Sequence, residues 1–169
     1  SQIFALIHLE DSCGQISFLL RRFVEVLKAL DDEIGVQQMP HKWAEIGVHW
    51  EAPSPSWVVL NTDGAAKGNP GTAGGGGVLR GHRGEWISGF VENMGICTSM
   101  KAELKALLRG LKLARERGVQ KLWVQSDSLM VVGMLRGEVA WNSKHKPILA
   151  WCNKLIKQED WEVCITHCY

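Results

Sequence analysis

The stretch that decides the fold runs from Trp57 to Gly71 and reads Trp-Val-Val-Leu-Asn-Thr-Asp-Gly-Ala-Ala-Lys-Gly-Asn-Pro-Gly. Its first six residues are mostly apolar or β-branched, which predicts a β-strand over 57–62. Asp63 follows that run directly, and the carboxyl edge of an open α/β sheet is where such folds bind ligands. The many glycines and the proline of 64–77 predict a turn. The sequence therefore places an acid at a sheet edge, beside a glycine-rich turn.

The rest of the chain alternates between strand and helix patterns. The predicted elements are strands at 75–80 and 85–92, a helix from 98–99 to 118, a strand at 121–125, helices at 128–136 and 148–156, and a strand at 161–168. The first three strands are joined by short turns, which favours an antiparallel meander. The order βββαβααβ predicts an α/β fold in which the later strands join this meander in parallel.

Residues 1–52 differ in character from the rest and predict a helical N-terminal extension and linker, followed by a second domain over 53–169. Apolar residues recur at three- and four-residue steps within 15–31, which is typical of an amphipathic helix. The run Pro53-Ser54-Pro55-Ser56 predicts a stiff connection. The early helix either binds a protein partner or packs on the domain, and the sequence leaves both open.

Three acids stand where predicted elements converge: Asp63 after the first strand, Glu103 in the first turn of the long helix, and Asp127 after the fourth strand. Singly, each has a structural explanation as a turn residue, a cap or a partner of the helix dipole. Together they form a set of oxygen ligands, which hard ions such as Mg²⁺ prefer. Carboxylate clusters of this kind hold the divalent ions that hydrolyse phosphodiesters.

Four ordered motifs carry a resemblance to a known family: Asn61–Ala65, Lys67–Gly71, Lys101–Leu104 and Ser126–Ser128. Residues 57–169 resemble the ribonuclease H family, and in particular the ribonuclease H-like domains of plants that are related to retroelement reverse transcriptases. The resemblance implies a ribonuclease H-like fold with a five-stranded mixed sheet of order 3-2-1-4-5. It also implies hydrolysis of the RNA strand of RNA–DNA hybrids by a two-metal mechanism, with Mg²⁺ or Mn²⁺ as cofactor.

The same resemblance assigns site residues. The implied metal-binding and catalytic residues are Asp63, with its neighbour Gly64, and Glu103 and Asp127. The implied nucleic-acid-binding residues are Lys67, Gly68, Asn69, Thr98 and Ser99. Bacterial members of the family carry a pair of asparagines where this chain has Ser99-Met100, so its recognition of the ribose is expected to differ.

The family has a fourth carboxylate on a helix after the fifth strand, and this sequence ends at Tyr169. Asp160 and Glu162 lie at the start of the fifth strand, at the opposite edge of the sheet. His167 is expected to have a structural role. We therefore expect a C-terminally truncated domain without the final helix, weak or inactive as a nuclease. The alternatives are a catalytically impaired nucleic-acid-binding module and a mobile-element remnant whose N-terminal helix mediates protein contacts.

Charge and cysteine content limit the classes of protein further. The net charge is +1, yet residues 101–157 hold 12 Lys or Arg and only 4 Asp or Glu. Such a block either attracts phosphates or forms a solvated helix surface. The five cysteines are odd in number and form no Cys-x-x-Cys pair, which favours an intracellular, reducing compartment, whether nucleus or cytoplasm. No apolar run approaches the ~20 residues of a membrane helix.

Tryptophans could stack on bases or pack in the core. Trp123 and Trp161 lie in strand patterns, and Trp151 lies near the apolar stripe of the late helix, so core packing is predicted for these three. Trp141 lies in a loop near Lys144 and His145.

Overall fold

The computed structural model describes residues 53–140 and 143–168. Its elements, in chain order, are β1 (Val58–Gly68), β2 (Gly71–Arg80), β3 (Trp86–Cys97), α1 (Ser99–Glu116), β4 (Lys121–Ser126), α2 (Leu129–Arg136), α3 (Lys146–Ile156) and β5 (Glu162–His167). The predicted order βββαβααβ is confirmed. The helix predicted at 15–31 lies outside the described residues, so the division of the chain at residue 52 stays a prediction. Trp141 also lies outside the described residues.

The five strands form one mixed sheet of order β3-β2-β1-β4-β5. The pairs β1–β2 and β2–β3 are antiparallel, whereas β1–β4 and β4–β5 are parallel. This confirms the predicted α/β fold class and strand order. The parallel β1–β4 ladder runs from Val58 opposite Leu122 to Asn61 opposite Gln125. Beyond that pair, β1 stays hydrogen-bonded only to β2, as far as Gly68.

The predicted turn over 64–77 is wrong, because most of these glycines lie within β1 and β2. A Cβ built on Gly64 would lie 2.4 Å from the carbonyl carbon of Ala102, and one on Gly75 would lie 3.0 Å from the Cβ of Ala106. Both glycines therefore let the sheet approach α1 closely. The actual turn is limited to the residues around Gly68, whose φ of 85° favours glycine.

Helix α1 packs its leucine face on the sheet and forms the centre of the core. Leu104, Leu107 and Leu111 recur at helical spacing and are at most 1% exposed. They belong to one cluster with apolar residues of β1, β4 and the two later helices. Burying each such side chain stabilises the fold by about 1.5–3 kcal/mol. The helix ends before Gly118, whose φ is 70°, as the sequence predicts.

The tryptophans follow the prediction in part. Trp161 is buried against the core, and Trp123 is half-buried with its Nε1–H donating to Thr166 Oγ1 at 2.7 Å. Trp151 is 56% exposed, so its predicted core position is wrong. Helix α3 instead turns Leu149 and Cys152 inward, which leaves Trp151 on the solvent side. No helix within the described ranges is long and apolar enough to span a membrane.

Candidate metal centre

The three predicted acids meet at one edge of the sheet. One carboxylate oxygen from each of Asp63, Glu103 and Asp127 lies within 4.8 Å of the other two. Asp127 directly follows β4, as predicted. Asp63 lies within β1, opposite Gly76 of β2, and not at its end as the sequence suggests. Asp63 and Asp127 nevertheless come together because both lie two residues past the last pair of the β1–β4 ladder.

Glu103 reaches this edge from α1. The helix begins at Ser99, so Glu103 lies in its second turn and the predicted first-turn position is wrong. An acid in the second turn has little interaction with the helix dipole, which falls off within one turn. The close approach at Gly64 explains its placement instead, because a Cβ there would lie 2.4 Å from the Glu103 backbone nitrogen.

The protonation of Glu103 reflects this crowding. The pKa of Glu103 is raised to about 8. Burial is the largest cause, and the negative charges of Asp63 and Asp127 contribute to the same rise. A hydrogen bond from the Gly64 backbone N–H acts in the opposite direction. Three acids held this close without a cation therefore keep a proton near neutral pH. A divalent cation would replace that proton and offset most of the negative charge of the cluster.

The donor set fits a hard divalent cation. All three side chains offer oxygen, and among residues 53–140 and 143–168 neither histidine nor cysteine joins the group. Asp160 and Glu162 do not contribute, as expected. Asp160 pairs with Arg115 at 3.0 Å and Glu162 with Lys121 at 2.9 Å, where β4 and β5 begin. Within residues 53–140 and 143–168, the cluster supplies three carboxylates.

Side-chain hydrogen bonds help to hold the backbone around Asp127. Ser126 Oγ accepts from the Ser128 N–H at 3.2 Å, and Ser128 Oγ caps α2 by accepting from the Val131 N–H at 3.3 Å. The His167 ring nitrogen Nε2 lies 3.2 Å from the carbonyl oxygen of Asp127 and donates to it. This contact joins the end of β5 to the sheet edge that carries the three acids and agrees with the structural role expected of His167.

Comparison with known proteins identifies the family. The sequence profile described as "Reverse transcriptase-like" matches residues 61–169. The chain belongs to the reverse transcriptase-like family. An Arabidopsis thaliana protein named as a candidate ribonuclease H protein is 36% identical over 157 residues, which make up 92% of this chain. The chain spans 25% of that relative's length.

Solved structures confirm that this family member has a ribonuclease H-like fold. Ribonuclease H1 of Halobacterium salinarum is 28% identical, with a TM-score of 0.63 over 66% of this chain and 85% of that one. LC11 ribonuclease H1, solved in complex with an RNA/DNA hybrid, is 25% identical, with a TM-score of 0.62 over 66% of this chain and 84% of that one. The resemblance inferred from the motifs is therefore confirmed.

The residues predicted to bind nucleic acid come together beside α1 of this reverse transcriptase-like domain. Lys67 and Gly68 end β1, Asn69 lies in the turn to β2, and the Ser99 N–H donates to Asn69 Oδ1 at 3.2 Å. Thr98 caps the helix, because its hydroxyl oxygen accepts from the Lys101 N–H at 3.3 Å. The turn and the start of α1 thus form one surface. The side-chain oxygens of Asn69 and Thr98 each accept a hydrogen bond from the backbone of α1.

Sequence reasoning missed one buried polar pair. Asn61 and Gln125 are 7% and 8% exposed, and Asn61 Nδ2 donates to Gln125 Oε1 at 2.9 Å. Each amide precedes a carboxylate of the cluster by two residues. The available signal was a polar side chain within an otherwise apolar strand, repeated at the same distance before Asp63 and before Asp127.

Proposed function

We propose that this domain hydrolyses the RNA strand of RNA–DNA hybrids, with Mg²⁺ or Mn²⁺ held by Asp63, Glu103 and Asp127. The observation that carries the proposal is the set of three carboxylate oxygens within 4.8 Å of one another at the sheet edge. Divalent ions bound by such a cluster supply a nucleophilic water and stabilise the leaving oxygen of a phosphodiester. Membership of the reverse transcriptase-like family supports the same chemistry.

The side chains have distinct parts in this proposal. Asp63, within β1, and Asp127, directly after β4, would bind the cation at the sheet edge, where the pairing of β1 with β4 limits their separation. Glu103 carries a proton in the metal-free protein and releases it when the cation binds. The Gly64 backbone N–H orients the Glu103 carboxylate through their hydrogen bond. Gly64 thus assists the site through its backbone and its lack of a Cβ.

The hybrid would lie across the surface formed by the β1–β2 turn and the start of α1. Lys67 supplies charge, and Gly68, Asn69, Thr98 and Ser99 supply polar groups near the sugar-phosphate backbone. The excess of Lys and Arg in 101–157 supports binding of a polyanion. A ribonuclease H1 of the same fold has been solved with an RNA/DNA hybrid, which supports the choice of substrate.

A nucleic-acid-binding module with impaired catalysis is the second candidate. It is supported by the surface that the β1–β2 turn and the start of α1 form, because that surface could bind a hybrid whether or not the acids hydrolyse it. In this case the domain would bind hybrids through the same surface without hydrolysing them.

A cleavage assay with a matched control separates the two candidates. The full chain is incubated with an RNA-labelled hybrid and Mg²⁺, beside Asp63→Asn, Asp127→Asn and the control Asp160→Asn, whose acid is ion-paired away from the cluster. Hydrolysis by the parent and the control, reduced at least ~100-fold in the other two variants, supports the nuclease. Hybrid binding without hydrolysis supports the binding module. A chain that neither binds nor hydrolyses the hybrid would reject both candidates.

We further propose that the protein works in an intracellular, reducing compartment. Cys97 and Cys152 are buried as thiols, and burial raises the pKa of Cys152 to about 12, which keeps it unreactive. The tagged chain is expected in the cytoplasmic or nuclear fraction with alkylatable thiols. Recovery from the medium with disulfides would contradict this. Partner binding by the amphipathic helix at 15–31 stays a prediction.

A further inference from the structure

Two buried amides link the strands that carry the metal-binding acids. Asn61 of β1 and Gln125 of β4 lie opposite each other as the last pair of the parallel ladder. Their side chains are joined by the 2.9 Å hydrogen bond from Asn61 Nδ2 to Gln125 Oε1. Both side chains are buried, so water competes little for this bond.

Beyond this pair the two strands separate into different pairings. Asp63 lies opposite Gly76 of β2, and Ser126, next to Asp127, lies opposite His167 of β5. Asn61 and Asp63 are alternate residues of one strand and therefore lie on the same face of the sheet. The amide hydrogen bond is thus the last side-chain link between β1 and β4 before the acids.

Electrostatics would tend to widen this gap. The carboxylates of Asp63 and Asp127 carry like charges. Without a cation, their repulsion acts to separate the part of β1 that carries Asp63 from the residues after β4 that carry Asp127. A hydrogen bond one pleat behind the acids opposes that movement. Such a bond acts in the metal-free protein, when the repulsion is largest.

Packing alone would not favour this pair. Replacing both partners of a buried hydrogen bond by apolar groups of similar shape is often nearly neutral for stability. The pair also leaves Asn61 Oδ1 buried without a donor among residues 53–140 and 143–168. An unsatisfied buried acceptor destabilises the folded state. Two apolar residues would fill the space without that cost, which favours a role at the neighbouring site.

We propose that Asn61 and Gln125 are positioning residues that hold Asp63 and Asp127 at the separation required by a divalent cation. They act through the acids and do not contact the cation. The inference deepens the proposed function, since it concerns the same site, but it depends only on cation binding and not on the identity of the nucleic acid.

The test measures binding of Mg²⁺ and of Mn²⁺ to the full chain by calorimetry, with the thermal midpoint in EDTA as a second readout. The Asn61→Leu/Gln125→Leu double variant removes the bond without leaving one amide unpaired. The exchanged pair Asn61→Gln/Gln125→Asn keeps a bond at the same place. Thr166→Val is the matched control, because it removes the side-chain bond between Trp123 and Thr166, which joins β4 to β5.

We expect the double leucine variant to fold with a thermal midpoint near that of the parent and to bind either cation about tenfold more weakly. The exchanged pair should recover cation affinity to within about threefold, and Thr166→Val should bind as the parent does. If the double variant does not fold, Gln125→Met removes the acceptor at nearly constant length, and the same tenfold loss is expected.

Parent-like affinity in the folded leucine or methionine variants would overturn the proposal. An equal loss in Thr166→Val would also overturn it, because it would reveal a general loosening of the sheet. A parent that binds no cation leaves nothing to position and overturns it as well. Hybrid hydrolysis is measured separately, so the two ideas can fail independently. Hydrolysis by the parent with unchanged cation affinity in the variants would reject this inference and keep the proposed function. A tenfold loss of affinity in the variants of a parent that does not hydrolyse hybrids would support this inference and reject the proposed function.

Discussion

The protonation of Glu103 links the acid cluster to pH. Its pKa is about 8 in the folded protein against an ordinary value of 4.5. Between these values the native state binds more protons than the unfolded state. Stability of the metal-free protein should therefore fall as pH rises from about 5 to 8, by an amount on the order of 3 kcal/mol. Urea denaturation in EDTA across this pH range measures the slope.

The control for this prediction is Glu103→Gln, which has no proton to lose and should flatten the profile over the same range. Stability that rises between pH 5 and 8 in the metal-free parent, with the slope absent in Glu103→Gln, would contradict the raised pKa. Mg²⁺ affinity of the parent should increase with pH up to about 8, because the cation competes with the Glu103 proton.

Thr98 caps α1 in the structure and is also one of the residues proposed to contact the hybrid. Its hydroxyl oxygen caps α1, so Thr98→Ala should lower the free energy of unfolding by about 1 kcal/mol. Thr98→Ser, which keeps the oxygen, should remain close to the parent. Chemical denaturation of the three proteins measures the difference, and an unchanged alanine variant would show that the cap contributes nothing.

At the scale of elements, the contact between β1 and α1 sets the position of Glu103. Gly64→Ala would place a methyl group 2.4 Å from the Ala102 carbonyl carbon and the Glu103 nitrogen. Backbone atoms cannot rotate away, so the strand and helix must separate. We expect a loss of stability above ~3 kcal/mol, comparable with severe overpacking of a core, together with weaker cation binding. Thermal unfolding and calorimetry check both.

Gly110→Ala is the matched comparison for this contact. Its new Cβ would lie 2.9 Å from the methyl groups of Leu60 and from Thr62 Cγ2, which are side-chain atoms that can shift. Alanine also has a higher helix propensity than glycine by about 1 kcal/mol. The loss of stability should be less than half that of Gly64→Ala. Equal losses would indicate that backbone proximity is not the deciding factor.

The same elements show where sequence reasoning succeeds and fails. The strand and helix order was predictable because apolar spacing and caps such as Ser128 are local signals. Gly64 was misread as part of a turn, because composition cannot distinguish a bend from close packing against a helix that follows later in the chain. Trp151 was misplaced for a related reason, since a residue at the border of an apolar stripe can face either side.

At the scale of the molecule, the fold gathers three acids that are far apart in the sequence. Their types and order were predictable from the motifs, and parallel pairing of β1 with β4 explains why Asp63 and Asp127 share an edge. The raised pKa of Glu103 was not predictable, because it depends on burial and on two charges that only tertiary structure brings near. The hydrogen bond between Asn61 and Gln125 also depends on tertiary structure, although the repeated position of an amide two residues before each acid was visible in the sequence.

The distribution of charge over the whole molecule leads to a prediction about hybrid binding. The net charge is only +1, but 101–157 holds 12 basic and 4 acidic residues, and Lys101 is exposed beside Ser99 at the proposed surface. Binding should therefore depend strongly on salt. With about four phosphates neutralised, we expect the logarithm of the association constant to fall with that of salt concentration with a slope of roughly −3 to −4.

Asp63→Asn, which is expected to prevent hydrolysis, allows this slope to be measured by fluorescence anisotropy with a labelled hybrid. Lys101→Gln should weaken binding and make the slope shallower by about one, because it removes one phosphate contact. Lys157→Gln, which removes an exposed lysine just after α3, should leave the slope unchanged. A slope near zero in the parent would reject electrostatic binding. Equal effects of the two lysines would show that overall charge, and not the surface at the start of α1, attracts the hybrid.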